Sequence, residues 1–233
     1  AKIVLASFVN LYAENTGEDK SFEEQSIIAT ADYIVQKWPD QPEADEALNT
    51  LIPFMIGAKK LAEAQAYLAK IPTASSQRPI AELKTGQALW ASYLENNKQI
   101  RDWESGAEPL PEGVDLAERK TELESLKSKA RQTLVDGVER MRKAGEMSKV
   151  LATAMLSLAQ IYVDTSEAGK AIELLEDPKM GLLAMVKSND SSISDPGVTE
   201  ETYKTALRAY ISSLAGKTNA AQAIEKARGT MEA

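Results

Sequence analysis

An all-α solenoid of about five helical hairpins, with insertions, is the fold that three observations predict. Apolar residues recur at spacings of three and four along most of the chain, prolines and glycines punctuate these stretches, and small residues alternate with large ones on the same faces. The small residues let a neighbouring helix approach closely. A hairpin of two short helices cannot bury its apolar stripe alone, so hairpins of the same kind must stack on it. With 233 residues, 43% apolar and 27% charged, the chain suits one elongated domain or two small ones with a substantial core.

Taken in order, residues 2 to 14 place Val4, Leu5, Phe8, Leu11 and Tyr12 at helical spacing, and Asn15 to Lys20 form an exit loop. Ser21, with Glu24 three residues on, has capping-box spacing and opens a helix whose buried face is Ile27, Ile28, Ala31, Ile34, Val35 and Trp38. Pro39 to Pro42 stop it. The next helix carries Ala44, Ala47, Leu48, Leu51, Ile52 and Met55, turns at Gly57 to Lys60, and returns through Ala64, Leu68 and Ile71 to Pro72. Pro53 lies inside this first arm, where a missing donor and a ring clash predict a kink or a break.

A helix containing Ile80, Ala81, Leu83, Gly86, Leu89, Trp90, Tyr93 and Leu94 follows. Residues 96 to 113, with two prolines, two glycines and several acids, predict an insertion loop anchored by Trp103 and Leu110. The chain thus divides into N-terminal hairpins at 1–95, the insertion at 96–113, and C-terminal hairpins at 114–233, the two sets being able to form one continuous array. Asp115 caps a long helix to about Ala144 with Leu123, Leu126, Ala130, Leu134, Val138 and Met141 on one seam, closed by Gly145. Its Lys127, Lys129 and Arg131 are read as a solvated face. A hairpin spans residues 147 to 177, a short helix 178 to 188 and a Ser/Asp loop 189 to 197. The last hairpin places Tyr203, Ala206, Leu207, Tyr210, Ile211 and Leu214 on one helix and Ala220, Ala221, Ile224 and Ala227 on the other.

Alignment of the return helices exposes a small residue followed four positions later by a bulky one: Ala64 with Leu68, Ala130 with Leu134, Ala171 with Leu175, Ala220 with Ile224. In three of these a bulky residue stands nine positions before the alanine, namely Met55, Tyr162 and Ile211. With Leu158 and Ala159 preceding Tyr162, the set resembles the tetratricopeptide repeat (TPR), which pairs two helices in 34 residues. The intervals between the alanines are 66, 41 and 49 residues, so the resemblance is to a divergent TPR-like array. The run Trp38 to Ala44 is similar to lengthened repeats in bacterial periplasmic members of the family; the sequence itself does not fix the compartment, and a soluble chain of bacterial cytoplasm or periplasm is the expectation. The resemblance also implies a protein-binding scaffold that takes a peptide or protein on its concave face. There the first helices offer Asn49, Thr50, Thr153, Ser157, Gln160, Thr202 and Thr205, a polar and nearly uncharged surface. The lysine and asparagine clamp by which some members grip a peptide carboxylate is not carried over.

Composition bounds the chemistry. The chain has neither histidine nor cysteine, which removes imidazole acid–base work, thiol nucleophiles and the usual transition-metal ligands. With 27 basic against 35 acidic residues the net charge is -8, which disfavours nucleic acid as the main partner. No apolar run approaches the roughly 20 residues of a membrane span. Gly169-Lys170 lacks the rest of a phosphate loop, and Asp190 with Asp195 lack the alternation of a calcium loop. The acid pairs Glu23/Glu24, Asp45/Glu46 and Glu200/Glu201 fit first turns of helices, where the dipole favours them. The expectation is a non-enzymatic scaffold without cofactor or metal. The competing readings are a helper or structural segment of a larger multidomain protein and a carboxylate-based hydrolase on an all-α fold. The hydrolase would need two acids from different helices in one pocket.

Overall fold

The computed structural model describes residues 1–17, 19–145, 147–214, 225, 228 and 229. Among these there is no strand, and ten α-helices follow one another. They are α1 (Lys2–Glu14), α2 (Ser21–Lys37), α3 (Pro42–Gly57), α4 (Leu61–Lys70), α5 (Arg78–Ser105), α6 (Leu116–Ala144), α7 (Lys149–Asp164), α8 (Ala168–Glu176), α9 (Leu182–Lys187) and α10 (Pro196–Leu214). The expected second helix of the last hairpin, with Ala220, Ala221, Ile224 and Ala227, lies outside the described residues.

Packing follows a ladder. Helices α1, α3, α5, α7 and α10 are first arms, and α2, α4, α6 and α8 are second arms folded back on them. Each first arm after α1 packs on the preceding first arm and on the preceding second arm, whereas second arms make no comparable contact with each other. The buried side chains accordingly form three clusters along the row rather than one centre.

The spacing of nine residues before the alanine has a local cause in two of the hairpins. After α3, Lys59 takes a left-handed φ of 59°, and the Lys60 amide donates to the Met55 carbonyl at 2.8 Å. After α7, Ser166 takes φ 60°, and the Glu167 amide donates to the Tyr162 carbonyl at 2.7 Å. Each turn closes its helix with the same backward bond and starts the return arm at once, which places Ala64 and Ala171 against their own first arms. Glycine is the usual occupant of such a position. Here Gly57 is the last residue of α3, and the left-handed residue is Lys59.

Helices α5 and α6, 28 and 29 residues long, form the largest hairpin. They touch at two glycines. A Cβ built on Gly86 would lie 2.6 Å from Leu134 Cγ, and one on Gly137 would lie 2.9 Å from Leu83 Cδ2, so each leucine occupies the space a side chain would take. Nearby, Glu82 is 1% exposed and accepts from Arg78 Nε at 2.6 Å and Arg140 Nε at 3.0 Å. Arg78 Nη1 also donates to the Leu68 and Ile71 carbonyls at 2.6 and 2.7 Å, satisfying the end of α4.

Several local expectations are corrected. α5 runs on to Ser105, so residues 96 to 105 are helical; Gly106, at φ 73°, ends it and the connection spans only 106–115. α3 passes through Pro53 without a break. No capping box forms at Ser21: it is the first helical residue, and Asp19 Oδ1 accepts its amide at 2.9 Å. Trp38 is 40% exposed instead of buried, because α2 ends before it. Asp115 does cap α6, accepting from Ala117 and Glu118 amides at 2.7 and 3.3 Å.

The basic run of α6 is a solvated face only at Lys129, which is exposed. Lys127 Nζ meets Asp164 Oδ2 at 3.2 Å, Arg131 Nη2 meets Glu167 Oε1 at 2.7 Å, and Arg142 pairs with Asp177. These cations at helical spacing tie α6 to both ends of the α7–α8 return. Glu200 and Glu201 lie beyond the first turn of α10, which begins at Pro196, and both pair with Lys204.

Candidate functional groove

The row of first arms exposes cavities between neighbours. The one with the most varied chemistry, about 290 Å³, is bounded by Trp90 and Leu94 of α5, Gln160, Val163 and Asp164 of α7, and Glu201, Thr205 and Arg208 of α10. No second arm contributes to its lining. A second cavity of about 320 Å³ lies between α1 and α3, where Lys2, Asn10, Glu46 and Thr50 provide the polar groups.

Trp90 and Tyr93 are both buried in the core. Their polar atoms nevertheless organise the cavity wall. Their rings stack at 4.7 Å, the Trp90 indole donates to Gln160 Oε1 at 3.0 Å, and the Tyr93 hydroxyl donates to Asp164 Oδ2 at 3.2 Å. Lys127 reaches the same carboxylate and lies 5.2 Å over the Tyr93 ring. Burial acts to pull the Lys127 ammonium down, but its bonds to Glu124 and Asp164 outweigh that and hold it above its ordinary value. Burial, reinforced by the Asp164 charge, pushes the Tyr93 hydroxyl up.

The seven residues expected on the groove separate into distinct groups. Gln160 and Thr205 come together in the α5/α7/α10 cavity, and Thr50 lines the α1/α3 cavity. Thr153 and Ser157 lie further back along α7, Thr153 accepting from Gln87 Nε2 at 2.8 Å and Ser157 donating to the Thr153 carbonyl at 3.1 Å. Asn49 is engaged internally, donating to Gln77 Oε1 at 2.8 Å and so tying α3 to the start of α5. Thr202 is fully buried and donates to the Val198 carbonyl at 2.8 Å, which makes it an interior residue and not a groove contact. Thr205 is 1% exposed, and its hydroxyl has no hydrogen-bond partner.

The groove is also more charged than the seven residues suggested. Asp164, Glu201 and Arg208 line one cavity, and Lys2 and Glu46 line the other as an ion pair. Asp164 was hidden in the sequence because it reads as a turn residue, although it stands four positions after Gln160 on one helix face. Arg208 likewise follows Thr205 by three.

Among the described residues, no helix is long and apolar enough to cross a membrane, and no group of three or more acidic side chains gathers as a metal site would require. Comparison of the chain with protein-family models, with curated proteins and with solved structures finds no match.

Proposed function

We propose that the chain is a non-catalytic recognition scaffold, a tetratricopeptide-like array that holds a peptide or protein segment along its row of first helices. The observation that carries this reading is the cavity built by α5, α7 and α10 alone, since a surface made of three successive first arms is continuous along the array. Its accessible Leu94 and Val163 supply apolar surface, and Gln160 and Arg208 supply hydrogen-bonding groups, the mixture a peptide segment requires. The duplicated turns after α3 and α7 support the repeat character of the array.

Asp164 and Glu201 come from different helices, as a carboxylate hydrolase would require. Each already accepts from a lysine, Lys127 and Lys204 respectively, and these pairs account for both acids as structural. Recognition therefore has the stronger support.

Leu94 and Arg208 are exposed, so they can be changed without disturbing the fold, unlike Gln160, which holds the Trp90 indole. A displayed random-peptide library is selected on the chain and the winners are rebound to a Leu94→Asp, Arg208→Glu variant of equal melting temperature. The expected loss is at least tenfold, about 1.4 kcal/mol. Winners that bind both proteins equally, or a selection that enriches nothing, would remove this cavity as the recognition site.

A further inference from the structure

The backward-facing stripe of α1 stands where other first arms meet their predecessor. On α3, Ala47 and Leu51 belong to the cluster made with Ile27, Ala31 and Ile34 of α2, while Leu48 and Ile52 belong to the next cluster with Leu68, Ile71 and Ala81. One face of α3 therefore looks back along the row and the other looks forward. On α1, Leu5 and Val9 pack forward into the cluster shared with α3, and Tyr12 meets Phe54 edge to face at 4.9 Å. Leu5 and Val9 thus take the places of Leu48 and Ile52, which puts Val4 in the place of Ala47, Phe8 in that of Leu51, and Leu11 in that of Phe54.

Those backward positions are covered on α3, whereas on α1 Val4 and Leu11 are bare and Phe8 is half-buried against the same cluster. Ala47 and Leu51 are 2% and 0% exposed, whereas Val4 and Leu11 are both 48% exposed. Phe8 extends the stripe sideways through an edge contact with Phe22, itself 68% exposed, and Ile3 at 83% adjoins Val4. The charged groups of α1 are Lys2, drawn to Glu46 of α3, and Glu14 at the far end. A contiguous exposed apolar surface marks a site of association.

We propose that this stripe of α1 is a stacking surface for a further α-helical hairpin, whose second helix brings a small-and-bulky apolar stripe like the Ile27, Ala31 and Ile34 that α2 brings to α3. The continuity of the in-chain interface argues for that occupant: the same backward positions, one step along the row, already receive a helix of this kind. The proposal is independent of what the groove binds.

The absence of cysteine makes the test direct. Leu11→Cys is introduced into the full chain, and alkylation of its thiol by iodoacetamide is timed, with Ile211→Cys, 55% exposed at the native residue, as the distant control. A copy of residues 1–43 is then joined ahead of Ala1, so that its second helix reaches α1 through the same connection, Trp38 to Glu43, that leads α2 into α3. The expected result is an alkylation rate about tenfold lower or more at position 11 with the control unchanged, as burial behind a docked element requires. A Val4→Glu substitution in the recipient α1 should restore the fast rate. An unchanged rate at position 11 would overturn the proposal. So would slowing in the original chain that grows with protein concentration, which would make a second copy the occupant. Slowing produced only by phosphatidylglycerol vesicles would assign the stripe to a lipid surface and overturn it as well.

Discussion

Replacing Gly86 by alanine measures how much of the fold depends on the close contact of α5 and α6. The new methyl would stand 2.6 Å from Leu134 Cγ and 2.9 Å from Leu134 Cδ2, where carbon atoms normally rest about 3.5–4.0 Å apart. Turning Leu134 aside does not relieve it, because the Leu134 backbone nitrogen is only 3.1 Å away, so the two helices must separate. Overpacking of this kind costs about 1–3 kcal/mol, and removing a glycine from a helix interior returns about 1 kcal/mol. The net expectation is a loss of about 1 kcal/mol, or roughly 2–4 °C in Tm for a chain of this size.

Gly57→Ala supplies the opposite sign. Gly57 ends a helix with nothing within 4 Å of its would-be Cβ, so alanine there should stabilise by up to about 0.5–1 kcal/mol. Gly137→Ala should resemble Gly86→Ala, since its methyl would meet Leu83 Cδ2 at 2.9 Å and the Leu83 backbone nitrogen at 3.1 Å. The double variant should lose less than the sum, because one separation of the helices accommodates both methyls. Urea unfolding followed by circular dichroism reads all four proteins. If Gly86→Ala is as stable as Gly57→Ala, the close approach is not what holds this hairpin.

Two further outcomes follow from buried charge and burial. Glu82→Ala leaves Arg78 without its carboxylate in a buried setting, and the expected cost is about 3 kcal/mol because Arg78 keeps two carbonyl acceptors; a urea midpoint equal to that of the parent would show the triad to be dispensable. Burial raises Tyr67, Tyr93, Tyr162 and Tyr210, the last aided by its 2.6 Å bond to Glu176. A raised folded value contributes stability that is complete below the ordinary tyrosine value of about 10 and is lost as pH climbs past it. Phenolate absorbance and helical ellipticity should therefore change together in alkali, and full phenolate formation with the helices intact would contradict the burial argument.

Much of the helical content and the hairpin order was legible because both arise from neighbours in sequence. The stripe of Ala44, Leu48, Leu51 and Met55 marks α3 whatever lies against it, and Asp115 caps α6 with a bond that spans two residues. Where the reading failed locally, a longer partner had overridden a local signal. The polar stretch at residues 96 to 105 looked like a loop, yet Ile100 is buried with Leu123 in the main cluster, and packing against α6 keeps the helix going to Ser105. Pro53 predicted a kink or a break, and of the two the break does not occur, because tertiary contacts on both sides of it keep α3 continuous.

The groove was legible only in outline. Periodicity places Gln160 and Thr205 on first arms, but it cannot say that they face one cavity or that Thr202, three residues earlier, points into the interior. Pairings such as Lys127 with Asp164, Trp90 with Gln160 and Arg78 and Arg140 with Glu82 join helices far apart in sequence, with no local spacing to announce them. The chain alone determined that it would form helices, where most of them begin and end, and which faces are apolar, because these depend on interactions within a few residues. Only the tertiary structure decided which polar groups are consumed in holding hairpins together and which remain in the groove, because that depends on the distance between arms and no short-range pattern encodes it.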